Sequence, residues 1–246
     1  MELWTLQHPD VWKALQEDGV WHAKDSLIEF PEEDDSNLNH AHYAYRWYAK
    51  QMTERIGPPP KGVHFPVWAD YKRYGQVNGK PDMRAERWFH KGKIDRLHLE
   101  IDEKRVLLSD LDDWHAPLNF WYLSRSKEDA DAFEKWYESL GVGYHDIYDW
   151  DMDSPELREV RKRVEESWPL MFDLEAPRDE NWHFPYIKRS FQATFWELRM
   201  EDVVSQERFQ GVGKWGGVCT GVCIMLHTPR QTECWLHDYS LCITGG

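Results

Sequence analysis

Three groups of residues have the types and spacing for chemistry. The first is Ser109-Asp110-Leu111-Asp112-Asp113-Trp114-His115, where a strand end delivers Asp110 to a turn and His115 follows within one helical turn. Carboxylates beside a histidine suit general acid–base work. Aspartates here equally suit helix capping, where their charge meets the positive end of the helix. The second is Gln192 and Glu197 in the run Ser190–Leu198. Period-two counting puts Glu197 on the face of Phe195 and Ala193, and Gln192 on the other. Such a glutamate either reaches solvent at a strand end or is set into a cleft. The third is a basic island. Residues 72–96 hold eight Lys and Arg against Asp82, Glu86 and Asp95, net +5 in a chain of net −14. Arg and Lys satisfy phosphate oxygens, and the neighbouring Tyr71, Tyr74, Trp88 and Phe89 offer rings on which a base can stack. The plainer reading is an exposed loop whose cations pair with acids elsewhere.

Other patterns are excluded. No G-x-G-x-x-G, G-x-x-x-x-G-K-[ST], H-E-x-x-H or G-x-S-x-G occurs, so the common nucleotide, protease and hydrolase signatures are missing. Asp149-Trp150-Asp151-Met152-Asp153 alternates carboxylates, but Ser154 and Val160 stand where a calcium loop needs Gly and Glu. His40 and His42 are two apart on a helix and point to different faces, which predicts partly exposed histidines rather than a shared metal. Cys219, Cys223, Cys234 and Cys242 lack the paired short loops of a zinc site. No metal is expected.

The elements that must position these groups read as mixed α and β. Leu3–Leu6 is a β-prone run. Pro9 starts a helix with Val11, Trp12 and Leu15 on one face, and Gly19 ends it. Val20–Ala23 reads as a second strand. Leu38, Ala41, Tyr45, Tyr48, Met52 and Ile56 recur at helical spacing from about Ser36 to Gly57, and Pro58-Pro59-Pro60 forbids continuation. Phe65–Tyr71 is extended, with Pro66 at an edge or entry position. The alternation Leu97, Leu99, Ile101 and the run Val106–Leu108 follow. Helices are expected over Trp114–Leu123, 127–140 and 154–168, the last with Ser154-Pro155 as N-cap and first turn. Ser190–Leu198 reads as the last strand.

The chain has 246 residues, 44 Asp and Glu against 30 Lys and Arg, and 15 Trp. The acidity argues against a surface that clings as a whole to nucleic acid or anionic lipid. The tryptophan count argues against wholesale disorder. With no apolar run of 18 and no basic-then-apolar leader, no membrane partner and a cytoplasmic address are expected. Residues 211–246 carry seven of the 15 glycines, all four cysteines and four charged residues. This break predicts an α+β core over 1–210, a single mixed domain with a central, mainly antiparallel sheet and peripheral helices, followed by a Gly/Cys-rich extension over 211–246.

Leu3-Trp4-Thr5-Leu6-Gln7, Arg55-Ile56-Gly57-Pro58-Pro59-Pro60, Pro66-Val67-Trp68-Ala69-Asp70-Tyr71, Lys80-Pro81-Asp82-Met83-Arg84, Val106–Asp110 with Trp114-His115, and Gln192–Glu197 resemble an uncharacterised bacterial domain family over about residues 2–205. That family implies no activity. The order of strand, short helix, strand and a late Gln/Glu strand also resembles ADP-ribosyltransferase-like enzymes. That resemblance implies NAD as cofactor, Thr5 and Gln7 lining a nicotinamide pocket, and Trp68 or Tyr71 stacking on the ring. It also implies Arg84 on the pyrophosphate, in the basic island with Lys80, and Glu197 as the catalytic carboxylate. The alternative is a non-catalytic module that binds a nucleotide, an anionic small molecule, nucleic acid or a protein through the 72–96 island. A third reading is a hydrolytic or nuclease-like site built from the island with Asp110 and His115.

Overall fold

The computed structural model describes residues 1–24 and 35–213, with side chains in the second segment from His40 onward. The cysteines, and the extension expected over 211–246 beyond Gly213, lie outside the described residues.

The fold is α+β. Strands β1 (Glu2–Gln7), β3 (Val67–Lys72), β4 (Lys91–Glu100), β5 (Leu107–Asp110), β6 (Phe191–Phe195) and β8 (Val203–Val212) form a six-stranded sheet in the order β5-β6-β3-β1-β4-β8. β2 (Val20–Trp21) and β7 (Leu198–Arg199) form a separate pair. Every pairing among the described strands is antiparallel. The helices are α1 (Pro9–Asp18), α2 (Asp35–Ile56), α3 (Met83–Glu86), α4 (His115–Leu118), α5 (Lys127–Ser139) and α6 (Pro155–Ser167).

Local chemistry explains the ends of these helices. His8 Nδ1 accepts from Asp10 N at the start of α1, and Gly19, at φ 74°, closes it in the left-handed region that glycine tolerates. Ser126 and Ser154 cap α5 and α6 by accepting from Asp129 N and Leu157 N. Along α2, Ala44, Tyr45, Tyr48 and Met52 are buried, as the helical spacing required.

The core mixes aliphatic side chains with a cluster of aromatic rings. Tyr48 packs at 4.9 Å from Trp68 and 5.0 Å from Trp114 between ring centroids, and its hydroxyl sits 2.8 Å from Ser109 Oγ. The edge-on Tyr48–Trp114 pair gains electrostatic contact beyond its burial.

Four expectations need correction. His40 is buried, 6% exposed, among Phe120, Tyr148 and Trp150 rather than partly exposed. The Trp114–Leu123 helix is only His115–Leu118, because the chain turns at Phe120, whose φ is 55°. The strand expected over Val20–Ala23 is only Val20–Trp21. Ser190–Leu198 is broken into β6 and β7, and the longer β8 follows it.

Candidate functional site

The basic island is a strap. Residues 73–90 leave the end of β3 and return as β4, crossing one face of the sheet on the way. Gly79 lies so close to the Asp70 carbonyl that any Cβ there would collide with it. Lys80 Nζ stands 4.8 Å from the centre of the Trp4 ring, and Pro81 O accepts from Arg96 Nη1 at 2.7 Å. Arg73 pairs with Asp70 at 3.6 Å and with Glu86 at 2.9 Å, tying the strap's two ends together. Burial pushes the Asp70 carboxyl up to about 6; nearby Arg73 pulls it down and Glu86 pushes it further up.

The strap's acids are internally consumed. Asp82 holds Arg84 at 2.7 Å, Glu86 holds Arg73, and the fully buried Asp95 holds Arg208 at 2.6 Å. Lys80, Arg87, Lys91 and Lys93 remain exposed. Exposed rings of Tyr71, Tyr74 and Phe89 accompany them. The segment 186–190 extends this surface: Lys72 Nζ donates to Tyr186 O at 3.1 Å, and Tyr74 N donates to Ser190 Oγ at 2.9 Å. Tyr186 and Ile187 stand exposed beside them.

The residues that the transferase resemblance gathered fall in different places. Trp4 pairs with Asp70 across β1 and β3, so alternation puts Thr5 and Gln7 on the face opposite Trp68. Thr5 Oγ1 donates to the Trp68 carbonyl, and Gln7 Nε2 donates to Thr5 Oγ1, both at 2.8 Å and inside the sheet. The Trp68 ring packs on Tyr45, Tyr48 and Trp114. Tyr71 is exposed at the strand end, and Arg84 is exposed and paired with Asp82.

Glu197 lies past the end of β6, next to β7, so it shares no strand face with Phe195. Its carboxylate accepts from Arg199 at 3.0 Å and lies 3.3 Å from His22 Nε2. Burial pushes its pKa up, but the hydrogen bonds of Arg199 and His22 prevail and hold it below the usual glutamate value. His22 lines a pocket of about 400 Å³.

Asp110 braces the turn that follows β5 and is an ion-pair partner; α4 itself has no side-chain cap. Its Oδ1 accepts from Asp112 N and Asp113 N at 2.8 and 3.0 Å, and its Oδ2 accepts from Arg189 Nε at 2.5 Å. His115 directs Nδ1 to the Asp112 carbonyl, 3.2 Å away. Asp113 pairs with Arg178 at 2.6 Å, and burial together with the Asp110 charge pushes its carboxyl up to about 6. Arg178 Nε and Nη1 and Arg189 Nη2 are buried without a hydrogen-bond partner, Arg189 Nη2 standing 3.9 Å from Asp113 Oδ2. The pairing of Asp110 and Asp113 with Arg178 and Arg189 was invisible in sequence, because roughly 65 to 79 residues separate the partners. Among the described residues, no cluster of three or more His, Cys, Asp or Glu is placed to hold a metal ion, and no helix is long and apolar enough to cross a membrane.

The family model described as Domain of unknown function (DUF3841) matches residues 2–204. The chain belongs to that family. No curated protein and no solved structure matches it. The DUF3841 match takes in the strap and the Asp110 cluster, together with Glu197. It stops just inside β8, whose remaining residues 205–212 complete the pairing with β4.

Proposed function

We propose that the protein is a binding module for a nucleotide-bearing ligand, a nucleotide or a single strand, held on the 72–96 strap. One observation carries the reading: the island's acids are taken up by Arg73, Arg84 and Arg208, while Lys80 and Arg87 stay exposed on the segment that also carries the exposed Tyr74 and Phe89 rings. Lysines and arginines meet phosphates, and tyrosine or phenylalanine faces accept bases of any sequence. The net charge of −14 confines such binding to this patch, since the rest of the surface repels polyanions. Fluorescence anisotropy with a labelled oligothymidylate and with ADP tests it. Binding that weakens with salt, and falls at least tenfold in a Lys80→Ala/Arg87→Ala variant, is expected. Unchanged binding in that variant would remove the strap as the site.

A second reading is an NAD-using transferase centred on Glu197. It is favoured by the hydrogen bonds that keep Glu197 ionised at neutral pH, the state needed to stabilise an oxocarbenium-like transition state. NAD turnover abolished by Glu197→Gln would bring this reading forward, and silence towards NAD would end it.

A further inference from the structure

The pocket beside His22 is separate from the strap and stands apart from the nucleotide-binding reading. It lies between the end of α1, β2 and the turn at 61–63, with Trp21, Ala23 and Val63 on its apolar side. Its charged lining is Lys24 and Lys61 against Asp18, with His22 between them in the chain. Glu197 Oε1 occupies His22 Nε2 at 3.3 Å, and Arg199 fixes the other glutamate oxygen at 3.0 Å. An imidazole whose Nε2 is held by a carboxylate has its orientation set and its Nδ1 left for a ligand. Apolar walls with a few convergent polar groups are the usual build of a small-molecule site.

We propose that this pocket binds a small organic oxyanion, a carboxylate or phosphate on an apolar body. Lys24 and Lys61 meet the acid group, Trp21 and Val63 cover the body, and His22, as the imidazolium with Nε2–H on Glu197, donates Nδ1–H to the ligand oxygen. Glu197 acts as a positioning residue. It touches His22 and holds the ring, and does not itself meet the ligand. Asp18 disfavours anions reaching the α1 side of the pocket, which orients the acid group towards the lysines.

The test uses the full chain with benzoate and phenyl phosphate as probes, and benzylamine and inorganic phosphate as controls. Binding is followed by Trp fluorescence and by the 15N signals of the His22 imidazole. Saturable binding of benzoate or phenyl phosphate, with a shift of the His22 signals, is the expected result; which probe binds tells carboxylate from phosphate. Lys24→Ala/Lys61→Ala, at two exposed positions, should weaken it at least tenfold with an unchanged circular dichroism spectrum. Glu197→Gln should change the pH profile of binding more than the affinity at its optimum. Benzylamine binding as well as benzoate, inorganic phosphate binding as well as phenyl phosphate, or no probe binding at millimolar concentration would each overturn the proposal. So would lysine variants that bind like the parent. Nucleotide binding at the strap is read in the anisotropy experiment, so the two proposals fail independently.

Discussion

Arg189 Nε donates to Asp110 Oδ2 at 2.5 Å, with the two side chains 5% and 1% exposed. The pair fastens the segment that carries Tyr186 and Ile187 to the end of β5. Arg178 and Asp113 complete the same buried network.

Removing one member of a buried pair leaves an uncompensated charge, which costs about 3–5 kcal/mol. Arg189→Met is therefore expected to lose a few kcal/mol in urea unfolding, and Asp110→Asn somewhat less, since an amide oxygen still accepts from Asp112 N and Asp113 N. The double variant Asp110→Asn/Arg189→Met should recover part of the loss. A loss in the double variant equal to the sum of the two single losses would show that the pair is not coupled.

Burial holds the His40 imidazole down at about 4, and the Arg161 charge pushes in the same direction. Between the ordinary value near 6.5 and 4, the unfolded chain binds a proton that the folded one refuses. Stability contributed by His40 is present above pH 6.5 and falls as the pH drops to 4, by up to about 3 kcal/mol at 1.36 kcal/mol per unit. His40→Phe should flatten that part of the stability profile. An equal slope in parent and variant would refute the assignment.

Gly75 has φ 74°, and a Cβ there would enter the Ile187 carbonyl oxygen. Gly75→Ala should push the 71–77 and 182–190 segments apart. A loss of about 1–3 kcal/mol is expected, and oligothymidylate binding should fall with it. Unchanged unfolding would mean that the two segments do not need this close approach.

Tyr48 lies wholly inside, its hydroxyl within 2.8 Å of Ser109 Oγ and 3.3 Å of Thr194 Oγ1. Burial pushes its pKa up to about 12. Tyr48→Phe keeps the ring contacts and removes only the hydroxyl, at a cost of about 1–2 kcal/mol. A neutral result would indicate that Ser109 finds another partner.

Much of this molecule was legible along the chain. The α2 face, the caps at Ser126 and Ser154, the glycine end of α1 and the alternation of β4 are decided by residues within a few positions of one another. Propensity and capping act at that range. β8 escaped because its sequence reads polar. As the outermost strand of the sheet it is solvated along its length, and its Arg208 and Glu207 meet Asp95 and Arg96 on β4. His40 escaped because helical spacing alone does not say which neighbours close over a polar residue.

The island's charge excess was a property of the sequence, countable before any fold was known. Which of its cations face solvent was decided by the path of the strap, which gave Arg73 to Asp70 and Glu86 and Arg96 to Glu207. The transferase resemblance put Thr5 and Trp68 in one pocket, yet strand register set them on opposite faces, because side chains alternate along every strand. Nothing in the sequence singled out Arg178 and Arg189, whose contacts with Asp113 and Asp110 repay their loss of water. Short-range preference chose the elements, and long-range pairing of charge and register chose the sites.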